Sequence, residues 1–270
     1  MLFEKEQLDY FRCQGCGLIL ALPLPTTAGA QHFYDHDYDE GGGAALAAEE
    51  AMMRATARYR LDKLGAHTAG RRLLDVGCST GALLEEASRA GFQADGIDLS
   101  RTAVDRARSK GHTANVGTVE SLTGVTYDVV TVFDVIEHVL DPSSFMQSVY
   151  ELLNPGGIVA LTTPNTDSLT CRAMGRRWYF YLPTVHTFHF NPANITALLS
   201  ARGFEVLEIS RASKALTYDY SSTAFEGSNP LVARTWKALG SMIPASWHSR
   251  VFRLPIGEML VVARRAPLRI

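Results

Sequence analysis

The 270-residue sequence has few cysteines, no long apolar run and no excess of basic residues. Four cysteines do not suggest a disulfide-stabilised scaffold in a chain of this length, so a reducing, cytoplasmic location is expected. No apolar run reaches the roughly 18 residues of a membrane span, and the N-terminus lacks the basic-then-apolar order of a signal peptide. A formal net charge of −2 disfavours a nucleic-acid partner.

The composition is that of an ordinary globular chain, with 46% hydrophobic and 20% charged residues. We divide it into an N-terminal leader and cover helix over residues 1–64 and a main domain over 65–270. The leader, residues 1–40, is expected to be irregular. Gly41–Gly43 indicates a hinge, and helical spacing of apolar residues over 44–64 predicts a helix that packs over the ligand pocket.

The segment Leu73–Ser100 is the most informative part of the main domain. A short apolar strand ends at Asp75, a turn containing Gly77 and Gly81 follows, and a helix and a second strand ending in Asp98 come next. Glycines allow a tight turn close to a ligand, and the helix beyond begins with free N–H groups. An acid at the end of the second strand can accept hydrogen bonds from both ribose hydroxyls. The pattern predicts a nucleoside site in a doubly wound sheet.

The glycine spacing separates two kinds of nucleoside site. A dinucleotide site requires G-x-G-x-x-G, whereas this chain has D-x-G-x-x-x-G with Ser79 in place of the middle glycine. This form resembles the first motif of the class I S-adenosylmethionine (SAM) dependent methyltransferases. The alternative is a glycine turn that serves only strand–helix packing.

The resemblance continues along the chain. Tyr127–Pro142 and Leu152–Asn165 resemble the fourth and fifth strands of that family, and Leu198–Ser210 and Gly257–Arg265 resemble its closing helix and last strands. The leader around residues 10–38 is similar to that of one branch, the UbiG-like small-molecule methyltransferases. The resemblance implies an α/β fold with a doubly wound, Rossmann-like sheet of seven strands, the last antiparallel. Insertions at 166–190 and 211–256 would form a substrate lid.

The resemblance also implies a function. The cofactor would be SAM, and the methyl group would pass by in-line displacement to a small-molecule acceptor, most favourably at oxygen. No nucleic-acid partner and no stable membrane insertion are expected, and the chain would be a monomer or a homodimer. A catalytically silent SAM- or nucleoside-binding module is the alternative, and the missing G-x-G-x-x-G and the extra terminal strand disfavour a nicotinamide dehydrogenase.

Asp98 is the main candidate for the ribose contact, because a buried carboxylate needs hydrogen-bond partners. Thr118 stands where relatives have an acid for the adenine amino group. Backbone groups around Val119 or the side chain of Glu120 would take that role, unless Glu120 is a solvated acid at a helix start. The predicted cofactor-binding residues are Asp75, Gly77, Cys78, Ser79, Gly81, Asp98, Leu99, Thr118, Val119, Glu120 and Phe133.

Asp134, Glu137 and His138 follow the fourth strand, at the sheet edge where ligands bind. His138 is a candidate general base beside Glu137, because an imidazole titrates near neutral pH. Ubiquinone-pathway O-methyltransferases associate a similar acid-x-x-Glu-His group with a divalent metal, and a helix would place the three side chains on one face. We predict no metal, because acid–histidine pairs commonly satisfy each other.

The first insertion is rich in aromatic residues, with Trp178–Tyr181 followed by His186 and His189. These residues are predicted to form the wall of the acceptor site, with His186 as a second candidate base. The alternative is a hydrophobic lid whose histidines cap the helix at Asn191. His189 ranks behind the other two histidines because of this capping.

Two further patterns have weaker meaning. Cys13 and Cys16 with His32 and His36 have a zinc-like spacing, but a second cysteine pair is absent and a metal-free loop is favoured. Residues 229–255 indicate a helix with apolar residues and few basic ones, for which a lid or dimer contact is favoured over a membrane-surface helix.

Overall fold

A computed structural model describes residues 1–24, 43–183, 185–222 and 230–266. The strands, in chain order, are β1 Phe3–Lys5, β2 Leu8–Arg12, β3 Ile19–Leu22, β4 Arg72–Val76, β5 Gln93–Asp98, β6 Thr113–Val116, β7 Tyr127–Phe133, β8 Leu153–Pro164, β9 Phe188–His189, β10 Phe204–Arg211, β11 Lys214–Leu216, β12 Phe252–Leu254 and β13 Glu258–Arg265. The α-helices are α1 Gly43–Leu64, α2 Ala82–Arg89, α3 Arg101–Ser109, α4 Pro142–Leu152, α5 Leu169–Met174, α6 Pro192–Ala201 and α7 Pro230–Gly240. In these parts of the chain, no helix combines the length and the apolar character needed to cross a bilayer.

Seven strands form the central sheet in the order β10-β13-β8-β7-β4-β5-β6. The strands from β8 to β6 pair in parallel, and β13 lies antiparallel between β8 and β10. The strand order reverses direction between β4 and β7, which is the switch point where doubly wound sheets bind ligands. The predicted fold class, including the antiparallel last strand, is confirmed.

The central strands are apolar on both faces because helices cover both sides of the sheet. Val129, Val130 and Val132 of β7 are 0% exposed and belong to two different core clusters. The helices contribute apolar stripes to these cores, such as Met146 and Val149 of α4. Burial of apolar surface stabilises the folded state by about 25 cal/mol per Å². The two core clusters on either side of the sheet therefore contribute most of the hydrophobic stabilisation.

The N-terminal leader is not irregular, and this expectation is wrong for residues 3–22. Strands β1, β2, β3 and β9 form a four-stranded antiparallel sheet. Tyr10 is fully buried there and stacks on Phe3 with ring centroids 4.6 Å apart. The fourth strand comes from the aromatic insertion far along the chain, so local sequence patterns do not reveal the pairing. Of the predicted hinge, Gly43 begins α1 and the other two glycines lie outside the described residues.

The predicted cover helix is confirmed as α1, which packs on α2. Arg54 and Arg58 form salt bridges to Glu85 and Glu86 of α2 at 3.4 and 2.9 Å. These bridges orient α1 along the face of the sheet that carries the glycine turn. The division of the chain at residue 64 stays a prediction.

Gly96 of β5 provides a test of how tightly the glycine turn packs. A Cβ at this position would lie 2.6 Å from Cys78 Sγ and 2.8 Å from Leu84 Cδ1, both buried. We expect Gly96→Ala to lower the free energy of unfolding by about 1–3 kcal/mol, the usual cost of overpacking. In Gly65→Ala the nearest heavy atom would be 3.7 Å away, so this control should stay near the wild-type value. Equal urea midpoints for both variants would contradict the packing described here.

Candidate active site

A cavity of about 920 Å³ opens at the carboxyl ends of β4, β5 and β7. Helix α1 covers it on one side through Met52, Met53 and Thr56. All but one of the predicted cofactor-binding residues line this cavity: Asp75, Gly77, Cys78, Ser79, Asp98, Leu99, Thr118, Val119, Glu120 and Phe133. The exception is Gly81, which lies at the N-cap of α2 in the left-handed region, with φ of 84°.

The turn between β4 and α2 requires its glycines for two physical reasons. Gly77 has a φ of 76°, and a Cβ on it would lie 2.6 Å from Val135 Cγ2. Gly81 would place a Cβ 2.9 Å from the His112 ring. The backbone N–H of Gly77 donates to the carbonyl of Ile97 at 2.8 Å, which ties the turn to β5. The turn therefore lies flat against the strand that ends in Asp98.

Asp98 joins this turn to the next helix. Its carboxylate accepts hydrogen bonds from the backbone N–H of Ser79 at 2.8 Å and of Ser100 at 2.9 Å. Ser100 in turn caps α3 by accepting from Ala103 N. Burial raises the pKa of Asp98 above its ordinary value. Each carboxylate oxygen has a further lone pair for a donor in the cavity.

Asp75 is the second carboxylate at this end of the cavity. It is 4% exposed and accepts a hydrogen bond from Thr131 Oγ1 at 2.7 Å. Burial raises its pKa to about 7, because few polar groups replace the water it loses. A cation bound nearby would favour its ionised form.

His138 and His186 face each other at the opposite end, with ring centroids 4.8 Å apart. Nδ1 of His138 donates to the carbonyl of Val185 at 3.0 Å, and Nδ1 of His186 donates to the carbonyl of Phe180 at 2.8 Å. A carbonyl only accepts, so each Nε2 keeps its lone pair. Burial lowers the pKa of both rings, which holds them neutral. Both line the cavity, and either ring could take a proton from a bound hydroxyl.

Four charged side chains meet beside the histidines. Asp134 accepts hydrogen bonds from Arg60 at 2.9 Å and Thr162 at 2.8 Å and lies 3.1 Å from Lys214 Nζ. Glu258 lies 2.7 Å from the same ammonium. Although burial opposes ionisation, Arg60 and Lys214 hold the pKa of Asp134 well below its usual range. The network connects α1, the end of β7, β11 and β13.

The expectation that Asp134, Glu137 and His138 share one helical face is wrong. Residues 134–138 form turns, and the Asp134 carboxylate is occupied by Arg60 and Lys214. The acid-x-x-Glu-His metal group of the ubiquinone-pathway enzymes therefore does not fit this chain. The nearest described set of possible ligands is Glu137, His138 and His186, whose ligand atoms lie within 4.8 Å of one another.

The aromatic residues of the first insertion do not form the acceptor wall, which corrects that prediction. Trp178 is 0% exposed and packs with Tyr10, Phe180 and Tyr181 in a separate core beneath the N-terminal sheet. The insertion residues that line the cavity are Leu182, Val185 and His186.

His189 is buried and does not line the cavity, and neither His186 nor His189 caps α6. Its ring lies 4.9 Å from that of Tyr181, inside the N-terminal core. The side chains of Asn191 and Asn194 form the capping box of α6 instead. Capping therefore does not explain the lower rank of His189. The reason is that His189 does not line the cavity.

The sequence analysis missed the part of the cavity contributed by the second insertion. Lys214, Ala215, Leu216 and Tyr220 line its outer end. No local pattern marked them, because β11 pairs with β12 across a long stretch of chain. Of the zinc-like set, Cys13 and Cys16 are free and exposed, whereas His32 and His36 lie outside the described residues.

Comparisons with known proteins identify the family. The profile of a methyltransferase domain family matches residues 47–209. Ubiquinone biosynthesis O-methyltransferase of Xanthomonas oryzae pv. oryzae is 33% identical over 169 residues, 56% of this chain and 70% of that protein. The enzyme of the same name from Vibrio cholerae is 39% identical over 109 residues, 36% of this chain and 44% of its own length. The chain thus spans about half the length of several curated relatives.

Two solved structures share the fold. Magnesium protoporphyrin IX methyltransferase from Synechocystis, with bound SAH, has a TM-score of 0.56 at 14% identity and covers 89% of this chain and 100% of its own. A possible histamine N-methyltransferase from Thermotoga maritima has a TM-score of 0.56 at 15% identity, with the same coverage of both chains. The chain belongs to the methyltransferase domain family, so the family predicted from the sequence is confirmed.

Glu137, predicted to act beside His138, is buried next to His138 and His186 without lining the cavity, and it provides a pH test. It is 1% exposed, and its Oε2 has no hydrogen-bond partner among the described residues. Burial, with the charge of Asp134 adding to it, raises its pKa to about 8. As the pH rises, the Glu137 carboxyl loses its proton at a lower pH in the unfolded chain than in the folded protein. The free energy of unfolding therefore falls between the ordinary pKa of a glutamate and a pH of about 8.

We expect the Tm of Glu137→Gln to rise relative to that of wild type as the pH rises from 5 to 8. Each pH unit in that window costs wild type about 1.4 kcal/mol, or roughly 3–5 °C in Tm, and the variant avoids this cost. Thermal melts at several pH values measure the difference, with the exposed Glu151→Gln as control. A constant Tm difference across the window would show that Glu137 is ionised throughout.

Proposed function

We propose that this chain is a SAM-dependent methyltransferase that methylates a hydroxyl oxygen of a small molecule. One observation carries the proposal: a single cavity has a nucleoside-type glycine turn with Asp98 at one end and two neutral imidazoles at the other. The relatives named as ubiquinone biosynthesis O-methyltransferases support oxygen as the acceptor atom.

The charges at the glycine turn favour SAM over a pyrophosphate cofactor. Asp75 and Asp98 present two carboxylates there. The described residues that line the cavity include one lysine, Lys214, and one arginine, Arg60. Both are paired with Asp134 and Glu258. A pyrophosphate would meet like charge without a free cation, whereas a sulfonium would be attracted. SAM supplies an activated methyl group.

The chain's own residues have defined tasks in this proposal. Asp98 accepts hydrogen bonds from the ribose hydroxyls. It also accepts one from the backbone N–H of Ser79, which holds the turn in place. Leu99 and Val119 flank the base, and Glu120 lies at the same end of the cavity. Phe133 and Thr118 complete that part of the lining. Gly77 keeps the backbone close to the bound molecule, because no side chain intervenes.

At the acceptor end, Nε2 of His138 or His186 takes the hydroxyl proton as the oxygen attacks the methyl carbon. Their Nδ1–H groups are held by carbonyls, so both imidazoles start in the tautomer that a base requires. Leu182, Val185 and Leu216 exclude water and hold the acceptor in line. Most of the rate enhancement would come from this positioning. We also propose a cytoplasmic location, to which the four free cysteines are suited.

The ribose contact is tested with Asp98→Ala. Loss of a hydrogen bond to a charged group should weaken SAM binding by about 1.5–3 kcal/mol, measured by calorimetry. Asp98→Asn keeps the size of the side chain and separates the loss of charge from collapse of the turn. Asp105→Ala, an exposed acid on α3, is the matched control. Unchanged SAM affinity in both Asp98 variants would rule out this contact.

The proton acceptor is tested with His138→Ala and His186→Ala. Loss of the base should lower turnover roughly 10²–10⁴-fold and leave SAM binding intact. The assay follows label from SAM in a panel of hydroxylated aromatic compounds. His67→Gln, a histidine paired with Glu208 away from the cavity, is the control. Full activity in both single variants and in the double variant would show that positioning alone is sufficient or that the acceptor needs no base. No transfer by wild type would favour the silent binding module.

A further inference from the structure

The hairpin between β2 and β3 holds Cys13 and Cys16 in a closed turn. The backbone N–H of Cys13 donates to the carbonyl of Leu18 at 2.8 Å, and the carbonyl of Cys13 accepts from the N–H of Gly17 at 3.0 Å. Gly17 has a φ of 75°, which reverses the chain before β3 begins. These hydrogen bonds fix both cysteines at one end of the N-terminal sheet.

The four cysteines of the chain form two groups with opposite surroundings. Cys13 and Cys16 are free and exposed, whereas Cys78 and Cys171 are free and buried. Burial raises the pKa of both buried thiols, which keeps them protonated and unreactive. The hairpin pair therefore has an access to reagents in solvent that the other two cysteines lack.

The turn also supplies Cys13 with groups that stabilise its ionised form. The backbone N–H groups of Cys16 and Gly15, together with the thiol of Cys16, hydrogen bond to the Cys13 sulfur and lower its pKa. The thiolate, rather than the thiol, is the nucleophile in exchange with a disulfide. The Cys16 sulfur lies beside that of Cys13, where it can attack a disulfide formed there.

A structural zinc site is the competing assignment for a Cys-x-x-Cys pair. Such a site takes four ligands, and two cysteines supply half of them. Within the described ranges, the group of three or more possible ligand side chains is Glu137, His138 and His186, so no third ligand from those ranges joins the hairpin pair. Two adjacent thiols without further ligands suit sulfur–sulfur chemistry better than zinc.

We propose that Cys13 and Cys16 form a reversible dithiol–disulfide pair that exchanges with small-molecule disulfides. The Cys13 thiolate attacks one sulfur of a disulfide such as oxidised glutathione, which forms a mixed disulfide and releases one glutathione thiolate. The Cys16 sulfur then attacks that of Cys13, and its proton passes through water to the second glutathione thiolate as it leaves. The pair loses two electrons, and the small disulfide gains them and becomes two thiols.

Excess reduced glutathione reverses both steps of this exchange. An exposed disulfide is open to attack by a small thiol, and disulfides in reducing compartments are commonly transient and redox-sensing. In the proposed cytoplasmic location, the two free thiols are the resting form. The pair does not line the cavity of the candidate active site, so the proposal is independent of the methyl-transfer chemistry.

The test treats the full chain, reduced and desalted, with oxidised glutathione and follows the products by mass spectrometry of the intact protein and of its peptides. We expect wild type to form one disulfide between Cys13 and Cys16, while Cys78 and Cys171 stay free. In Cys16→Ser, the exchange should stop after the first step and leave one glutathione on Cys13. Excess reduced glutathione should return both products to free thiols.

Cys13→Ser measures how much the hydrogen bonds to the Cys13 sulfur contribute. The remaining Cys16 should form its glutathione adduct roughly threefold more slowly than Cys13 does in Cys16→Ser, because a lower pKa gives more thiolate and only partly reduces its nucleophilicity. Gly15→Ala is the control for a change within the turn. It keeps both N–H donors, and its Cβ would lie 3.9 Å from the Cys13 sulfur, so it should react as wild type.

Three outcomes would overturn the proposal. Stable glutathione adducts on both hairpin cysteines of wild type would show that the two sulfurs do not pair. Four free thiols after treatment with excess oxidised glutathione would show that Cys13 is not a nucleophile. Zinc in the purified protein, detected by elemental analysis and protecting both thiols from exchange, would assign the pair to a metal site instead.

Discussion

The buried ion network of Arg60, Asp134, Lys214 and Glu258 is the interaction on which the cavity depends. Arg60 and Glu258 have side chains only 8% and 1% exposed, whereas Asp134 and Lys214 are 29% and 27% exposed. Buried charges cost several kcal/mol each unless they are paired. The network therefore penalises any arrangement that separates the cover helix, the central sheet and the second insertion.

The two ends of the cavity are chemically different because of what surrounds each of them. At the glycine turn, Asp98 accepts from the backbone N–H of Ser79 and Asp75 accepts from the Thr131 hydroxyl. Among the described lining residues, Arg60 and Lys214 are both paired with other acids, which suits a positively charged cofactor. At the other end, burial keeps His138 and His186 neutral. Beside the histidines, Asp134 is paired with Arg60 and Lys214.

The N-terminal sheet has an indirect part in the site. Strand β9 pairs with β3, and Trp178 and Tyr10 fill the space beneath. This core holds the insertion in place, and the carbonyl of Phe180 from the same segment sets the tautomer of His186. The aromatic residues thus position a cavity residue without lining the cavity themselves.

The sequence alone determined the parts of this protein that depend on local patterns. Gly77, Gly81 and Asp98 have conformational and hydrogen-bonding requirements that few residue types meet, so their spacing predicted the turn, the sheet and the family. The two strands predicted to end at Asp75 and Asp98 correspond to β4, which ends at Val76, and β5, which ends at Asp98.

Only the tertiary structure decided which distant residues meet. It brought Lys214 onto Asp134 and His186 next to His138, and it placed Trp178 in a core rather than at a substrate. These contacts join segments separated by long stretches of chain, and their energies depend on burial and pairing rather than on local spacing. The sequence does not show whether an acidic side chain will contact a metal, an arginine or water, because that contact depends on the tertiary structure.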